Sequence, residues 1–134
     1  MLNDTKLVKR PDSQPRFADD QILRQLSKDA GINIFPAVSP VGKYIVFYSD
    51  RSGETAIWRM DIDGGSPVQL AKGTMPSFSP DGKWVYFYSA GRGGLWKISV
   101  EGGGPTRIPT REKHIVTAPV ASPDNRLLVS NYLV

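Results

Sequence analysis

A segment of about 14 residues occurs three times in this chain and constrains the fold more than any other feature. The copies are Pro36–Ser49, Pro76–Ser89 and Pro119–Tyr132, which start 40 and then 43 residues apart. Each copy has a Ser-Pro turn followed by a run of β-forming residues. Proline fixes φ in such a turn, and glycine accepts the positive φ that the turn requires. The sequence therefore predicts three copies of one β-hairpin.

The repeat period and the strands within it predict a β-propeller. A period near 40 with four short strands is typical of a propeller blade. Continuous apolar runs such as Tyr44–Tyr48 are expected of strands covered on both faces. The predicted strands of the first unit are Ile34–Val38, Tyr44–Tyr48, Ala56–Ile62 and Pro67–Leu70. Those of the second are Met75–Phe78, Trp84–Tyr88, Leu95–Val100 and Pro105–Ile108, and those of the third are Ala118–Ala121 and Leu127–Leu133. The expected fold class is all-β, with blades of four antiparallel strands in an incomplete propeller.

The repeat also divides the chain. Residues 34–71 and 75–109 are predicted to be two full blades, and residues 118–134 a partial blade. The pair Gln25-Leu26 resembles the ends of both full units, so residues 22–27 are predicted to be the orphan outer strand of a preceding unit. Residues 1–20 are expected to be polar and irregular, with one short strand at Thr5–Lys9.

Two full blades are too few to close a propeller, which has about four to eight. Open blades would leave unpaired strand edges and bare apolar faces. Two solutions are open at this stage. The chain is a fragment of a longer propeller, or its N-terminal strands and C-terminal hairpin make a third blade, so that two chains close six blades as a homo-oligomer.

Composition excludes several classes of function. The hydrophobic fraction of 40% and the charged fraction of 22% are typical of a soluble globular protein. The net charge is +4 without any run of five basic residues, so no nucleic-acid-binding tail is expected. Cysteine is absent, which excludes disulfides and zinc-thiolate sites. No apolar run has the length of a signal peptide or a membrane span, so no membrane insertion is expected and the compartment is left unknown.

No catalytic, cofactor-binding or metal-binding residue is predicted. Ser79 and Asp81 lie in a motif that occurs three times, whereas a catalytic group is needed once, so they are expected to bond the turn backbone. The single histidine, His114, has no recognisable serine partner for a catalytic triad. The segment Asp61–Gly65 opens like a calcium loop but lacks the closing glutamate, and it is interpreted as a turn. Trp58, Trp84, Tyr86 and Trp96 are expected in the core between blades.

The repeat resembles the TolB-type, WD-repeat-like propeller repeat. The resemblance rests on the Ser-Pro-Asp-Gly-Lys turn with its aromatic run, on the segments 49–53 and 57–61, and on Asp63-Gly64-Gly65. Departures are Val41 for aspartate, Asn125 for glycine and a shortened loop at 90–94. Such a resemblance implies a bacterial protein of the periplasm or cytoplasm and a non-enzymatic scaffold that binds a protein or peptide. It also leaves open the gating propeller of a prolyl-oligopeptidase-like or tricorn-like peptidase, or the sensor region of a signalling protein.

One face of the predicted propeller is more basic than the other. It collects the loops between second and third strands and the links between blades, and loops on a rigid scaffold commonly carry binding sites. The candidate partner-binding residues are Arg51, Arg92, Arg111, Lys113 and His114. They predict an acidic protein or peptide partner, with His114 making binding sensitive to pH between about 5 and 8.

Overall fold

The computed structural model describes residues 8–9, 24–28, 31–110 and 115–133. Within them lie twelve β-strands and no helix. The strands are β1 (Val8–Lys9), β2 (Arg24–Gln25), β3 (Asn33–Val38), β4 (Tyr44–Ser49), β5 (Ala56–Asp61), β6 (Val68–Ala71), β7 (Thr74–Phe78), β8 (Trp84–Tyr88), β9 (Leu95–Ser99), β10 (Thr106–Arg107), β11 (Ile115–Ala121) and β12 (Leu128–Leu133). The described residues therefore contain no helix that is long and apolar enough to cross a membrane.

Two four-stranded antiparallel sheets form the centre of the molecule. Strands β3–β6 make the first blade and β7–β10 the second, each with its strands paired in chain order. The prediction of all-β blades of four antiparallel strands is thus confirmed. On either side of these blades lies a two-stranded sheet. We call β1–β2 the N-terminal pair and β11–β12 the C-terminal hairpin.

The first strand of each repeat carries the same bulge. The pairing register shifts within β3, β7 and β11. At that point Phe35, Met75 and Ala118 adopt φ values of 53°, 55° and 51°, and a proline follows each of them. A bulge leaves one residue out of the ladder, and proline has no N–H to donate there. A non-glycine residue with positive φ is uncommon, so its recurrence marks the bulge as a feature of the repeat.

The two blades pack face to face through an apolar core. Val46 and Ile57 of the first blade contact a cluster that includes Val85, Phe87 and Ile98 of the second. A smaller cluster lies on the other face of the first blade, where Ile45, Phe47 and Met60 meet Leu26, which follows the N-terminal pair. Burial of both faces explains why the inner strands are apolar almost without interruption.

The described parts of two expected N-terminal strands pair with each other. Of the outer strand expected over residues 22–27, Arg24–Gln25 is described as a strand, and of the short strand expected at Thr5–Lys9, Val8–Lys9 is described. The two are antiparallel. An outer strand needs a hydrogen-bond partner along its inner edge, and Val8–Lys9 supplies it.

Candidate functional site

Arg51 and Arg92 lie in equivalent loops of the two blades. Each loop joins the second strand of its blade to the third, and each follows a buried serine, Ser49 or Ser89. The backbone N–H of Arg51 donates to Ser49 Oγ over 3.2 Å, and that of Arg92 donates to Ser89 Oγ over 3.4 Å. The repeat therefore presents one arginine per blade at the same face.

The side chain of Arg51 is engaged within the first blade. Its guanidinium carbon lies 4.8 Å from the centre of the Phe47 ring and 5.3 Å from that of Trp58. Its Nη2 donates to Asn33 Oδ1 over 3.0 Å, and its Nε donates to Ser49 Oγ over 3.3 Å. Arginine is suited to this combination of ring stacking and hydrogen bonding because its guanidinium is planar and carries several donors. Arg51 thus stabilises its own blade.

Arg92 has the same aromatic support but keeps its donors available. Its guanidinium carbon lies 5.4 Å from the centre of the Trp96 ring. Trp96 is held in place by donation from its Nε1 to the carbonyl oxygen of Gly93 over 3.0 Å. Among the described residues, no side chain accepts a hydrogen bond from the Arg92 guanidinium or forms an ion pair with it. Arg92 is exposed, so its guanidinium, which has donors only, is accessible to a ligand beside the indole.

One substitution between the repeats explains this difference. The registers Ile34↔Tyr48 and Thr74↔Tyr88 are equivalent, so the residue before each pair, Asn33 or Gly73, occupies the same position. Asn33 is buried and accepts from Arg51, whereas Gly73 has no side chain to offer Arg92. Gly73 also lies so close to the second blade that an added Cβ would be 2.5 Å from Phe87 Cδ2 and 2.7 Å from the Tyr88 carbonyl oxygen.

A cleft of about 740 Å³ opens between the two blades at this point. Both apolar and polar side chains line it. The apolar lining is Leu70, Ala71, Phe87, Ala90, Trp96 and Pro105, and the polar lining includes Tyr48, Glu54, Thr55, Lys72, Thr74, Ser89 and Arg92. A concave surface of apolar side chains with a few polar groups is the usual form of a binding site.

Two further charged residues that line the cleft, Lys72 and Glu54, form an ion pair. Lys72 Nζ is 2.7 Å from Glu54 Oε2, and both side chains are largely exposed. The hydrogen bond from the Lys72 ammonium, together with its charge, lowers the pKa of Glu54. Because Lys72 and Glu54 neutralise each other, Arg92 supplies the unbalanced positive charge among the described residues that line this cleft.

The sequence-predicted binding residues separate into three groups. Arg92 lines the cleft between the blades, while Arg51 borders a different cleft, of about 400 Å³, beside the N-terminal pair. Arg111, Lys113 and His114 fall outside the described residues.

The sequence interpretation missed Gly73 and assigned Trp96 only to the core. Aligning Asn33 with Gly73 across the two repeats would have revealed the missing arginine partner.

The repeated turns are structural, as predicted. Ser79 Oγ accepts from the backbone N–H of Trp84 over 3.0 Å and donates to Asp81 Oδ1 over 2.6 Å. Asp81 Oδ1 also accepts from the backbone N–H of Lys83 over 3.0 Å. Asp63 Oδ1 accepts from the Gly65 N–H over 2.9 Å, which is turn geometry. In the described part of the chain, no three carboxylates or histidines gather as metal ligands would.

Comparison with known proteins places this geometry in context. No protein-family model matches the chain. The uncharacterized protein Atu1656 of Agrobacterium fabrum is 37% identical over 75 residues, which cover 53% of this chain and 26% of that protein. Since the alignment covers about a quarter of that relative, it supports relatedness over part of the repeat region.

Solved structures share the fold over most of the chain. A protein described as a TolB of Agrobacterium tumefaciens matches with a TM-score of 0.74 and 29% identity, over 83% of this chain and 42% of that one. TolB of Acinetobacter baumannii matches with a TM-score of 0.70 and 20% identity, over 81% and 29%. An oligogalacturonate lyase of Vibrio parahaemolyticus matches with a TM-score of 0.61 and 19% identity, over 91% and 35%. The chain spans less than half of each of these proteins. The repeat, the blades and these likenesses together identify the chain as a TolB-like β-propeller of two full blades and parts of others.

Proposed function

We propose that this chain is a non-enzymatic propeller scaffold that binds an acidic segment of a protein or peptide in the cleft between its two full blades. The observation that carries the proposal is Arg92, whose guanidinium lies over the Trp96 ring with its donors open to solvent. A guanidinium presents a planar fork of donors that matches a carboxylate. Stacking on the indole holds this fork in one orientation and so reduces the entropy cost of binding.

The shape of the cleft supports an extended peptide. The apolar side chains that line the cleft would receive one or two apolar side chains of the peptide, while Arg92 binds a neighbouring Asp or Glu carboxylate. The ion pair of Lys72 and Glu54 balances its own charge, so selectivity for an acidic ligand rests on Arg92.

The other candidate residues enter the proposal in different ways. Arg111, Lys113 and His114 follow the last strand of the second blade in the sequence, and their part in binding the partner stays a prediction. Charge reversal at Arg51 together with Arg92 should weaken capture. Arg51 alone is a poor probe, because its loss would also remove its contacts with Asn33, Phe47 and Trp58.

A pair of labelled peptides tests the proposal. Both are ten residues long with alternating apolar positions, and they differ only in having Glu or Gln at the polar positions. Fluorescence anisotropy should show tighter binding of the Glu peptide, with affinity falling as salt rises. R92Q should weaken that binding about tenfold, the usual effect of losing a charge-assisted hydrogen bond.

The matched control is R126Q. Arg126 is exposed in a turn at the opposite face, where its backbone N–H, and not its side chain, bonds Asp124. R126Q should leave binding of the Glu peptide unchanged. Equal affinity for the two peptides across the salt series, or an R92Q protein that binds as well as the unsubstituted chain, would overturn the proposed function.

A further inference from the structure

A second arginine, Arg107, lies beside Trp96. The pairing of β9 with β10 places Arg107 directly opposite Trp96. Directly opposite residues of an antiparallel pair share one face of the sheet, with Cβ atoms about 4.5–5.5 Å apart. Since Trp96 lines the cleft between the blades, Arg107 is a direct neighbour of the cleft lining. The indole that carries Arg92 over its ring therefore has another arginine next to it, on the outer strand.

The guanidinium of Arg107 rests against the loop that carries Arg92. A Cβ built on Gly94 would be 3.4 Å from Arg107 Nη2 and 3.7 Å from its Nε. The preceding residue of the same loop, Gly93, accepts the hydrogen bond from Trp96 Nε1. One short loop thus brings two guanidinium groups to the same indole, one from the loop itself and one from β10.

Neither arginine is neutralised within the described part of the chain. Both residues are exposed. None of the ion pairs formed among the described residues involves Arg92 or Arg107. Two neighbouring guanidinium groups without a carboxylate repel each other, and an anionic ligand relieves this repulsion. The arrangement therefore favours a ligand that carries more than one negative charge.

The first blade is built without this pair of open arginines. Its residue opposite Trp58 is Gln69, which occupies the position of Arg107. Its loop arginine, Arg51, donates to Asn33 and is engaged within the blade. A blade of this repeat thus forms with an uncharged residue on its outer strand and a bound arginine in its loop. The two open arginines of the second blade are therefore not a requirement of the blade fold.

We infer that the peptide bound in the cleft carries two acidic side chains, at positions i and i+2 of an extended backbone. Arg92 binds one carboxylate and Arg107 binds the other. Residues i and i+2 of an extended chain point to the same side and lie about 6.6–6.8 Å apart, so both carboxylates can meet arginines that share one indole. Adjacent residues would point to opposite sides, and more distant residues would leave one arginine without a carboxylate.

This inference rests on the proposed function, because it assumes an acidic peptide in the cleft. It adds the spacing of the acidic residues to that proposal. It also assigns to Arg107 the selection of a second acidic residue, while Arg92 keeps the first. The two statements can fail separately, since each depends on a different arginine.

Three labelled ten-residue peptides test the spacing. All have alternating apolar positions and Gln at the other positions, apart from the Glu residues introduced. The first peptide has one Glu, the second has Glu at i and i+2, and the third has the same two Glu residues six positions apart, about 20 Å. Fluorescence anisotropy should show the second peptide bound about threefold to fivefold more tightly than the third, the effect of one additional exposed ion pair. The third should bind like the first.

R107Q separates the roles of the two arginines. It installs the residue type that the first blade has at this position, so the second blade should still fold. R107Q should weaken binding of the i and i+2 peptide to the level of the one-Glu peptide and leave the one-Glu peptide unaffected. R92Q should weaken the binding of all three, and the control R126Q should change none. Urea unfolding should show no loss of stability for R107Q, because the substitution removes a repulsion.

Several results would overturn the inference while the proposed function stands. Equal affinity for the two peptides with two Glu residues would refute the spacing. An R107Q protein that binds the i and i+2 peptide as well as the unsubstituted chain, or that loses affinity equally for all three peptides, would refute the role of Arg107. A peptide with a single phosphoserine that binds more tightly than the i and i+2 peptide, and is weakened by R107Q, would assign both arginines to one dianionic group.

A different result would overturn the proposed function itself. If the one-Glu peptide bound no better than a peptide with Gln at every polar position, and R92Q changed neither, the cleft would not select acidic ligands. The all-Gln peptide and R92Q therefore test the proposed function, whereas the paired spacings and R107Q test the second acidic position.

Discussion

Arg59 of the first blade forms an ion pair with Glu101 of the second, with 3.6 Å between Nη1 and Oε2. The same nitrogen donates to the carbonyl oxygen of Val100, and the guanidinium lies 4.6 Å from the centre of the Tyr44 ring. The Tyr44 hydroxyl donates in turn to Glu101 Oε1 over 3.2 Å. Arg59 is 14% exposed in its side chain and Glu101 is 66% exposed, so the partners of this contact lie in different environments.

We expect unequal costs when the two partners are replaced. E101Q removes only an exposed charge and should lower the free energy of unfolding by at most about 1 kcal/mol. R59M removes the ring contact and leaves the Val100 carbonyl without its donor, so it should cost about 1–3 kcal/mol. Urea unfolding of both variants checks this order. Equal costs would mean that the exposed ion pair, and not the buried guanidinium, joins the blades.

Replacing Gly73 by alanine should destabilise the second blade, because Gly73 lies against its strand β8. The new Cβ would be 2.5 Å from Phe87 Cδ2 and 2.7 Å from the Tyr88 carbonyl oxygen, and backbone cannot move aside cheaply. Overpacking of this kind costs about 1–3 kcal/mol. G91A is the control, because nothing lies within 4 Å of a Cβ at Gly91. Chemical denaturation of both variants should show a loss for G73A that exceeds any change for G91A; a G73A protein as stable as G91A would contradict the close approach.

The fold could be predicted from the sequence because the same local chemistry recurs. Three Ser-Pro turns at nearly constant spacing mark equivalent positions in the three units. Once one unit is understood, the strand order and the side-chain face of each residue follow for the other units. The substitution of Asn125 for glycine kept the turn, since asparagine tolerates the left-handed φ of 58° found there. The strand β1 was harder to delimit, because the single alternation at Thr5–Lys9 is a short signal.

The candidate site was less predictable because it depends on the absence of a side chain at Gly73 that could accept a hydrogen bond from Arg92. The sequence shows Arg51 and Arg92 as similar loop cations, yet their side chains have different partners. That difference comes from Asn33 and Gly73, which lie 18 and 19 residues earlier in the chain and become neighbours only through strand pairing. The volume of the cleft depends on how two blades stack, which no pattern within one blade specifies.

Asn125 provides a test of the contact between the second blade and the C-terminal hairpin. Its Oδ1 accepts from the Tyr86 hydroxyl over 2.9 Å. N125G keeps the turn conformation and loses this bond, while N125A loses the bond and also strains the backbone. We expect N125G to cost about 0.5–1.5 kcal/mol, N125A to cost more, and Y86F to resemble N125G. Thermal or urea unfolding measures the three variants. An N125A protein that is more stable than N125G and Y86F would contradict this assignment.

The stability of the second blade should depend on pH through Asp81. The hydrogen bond from the Ser79 hydroxyl, followed by that from the Lys83 N–H, holds the pKa of Asp81 below its usual range. A carboxyl whose pKa is lower in the folded state stabilises the fold above its unfolded pKa, about 3.9, and this contribution is lost as pH falls through the folded value. The stability difference between the unsubstituted chain and D81N should therefore be constant near neutrality and shrink below about pH 4.

Val41 allows the reciprocal experiment in the first blade. It occupies the position of Asp81 in a turn where Ser39 Oγ already accepts from the N–H groups of Lys43 and Tyr44. V41D should create the Ser–Asp bond and gain stability near pH 7 that disappears in the same acidic window. Urea unfolding at pH 7, 5 and 3 measures both variants. A D81N difference that stays constant down to pH 3, or a V41D gain that persists at pH 3, would show that the turn carboxylate does not stabilise the blade through its charge.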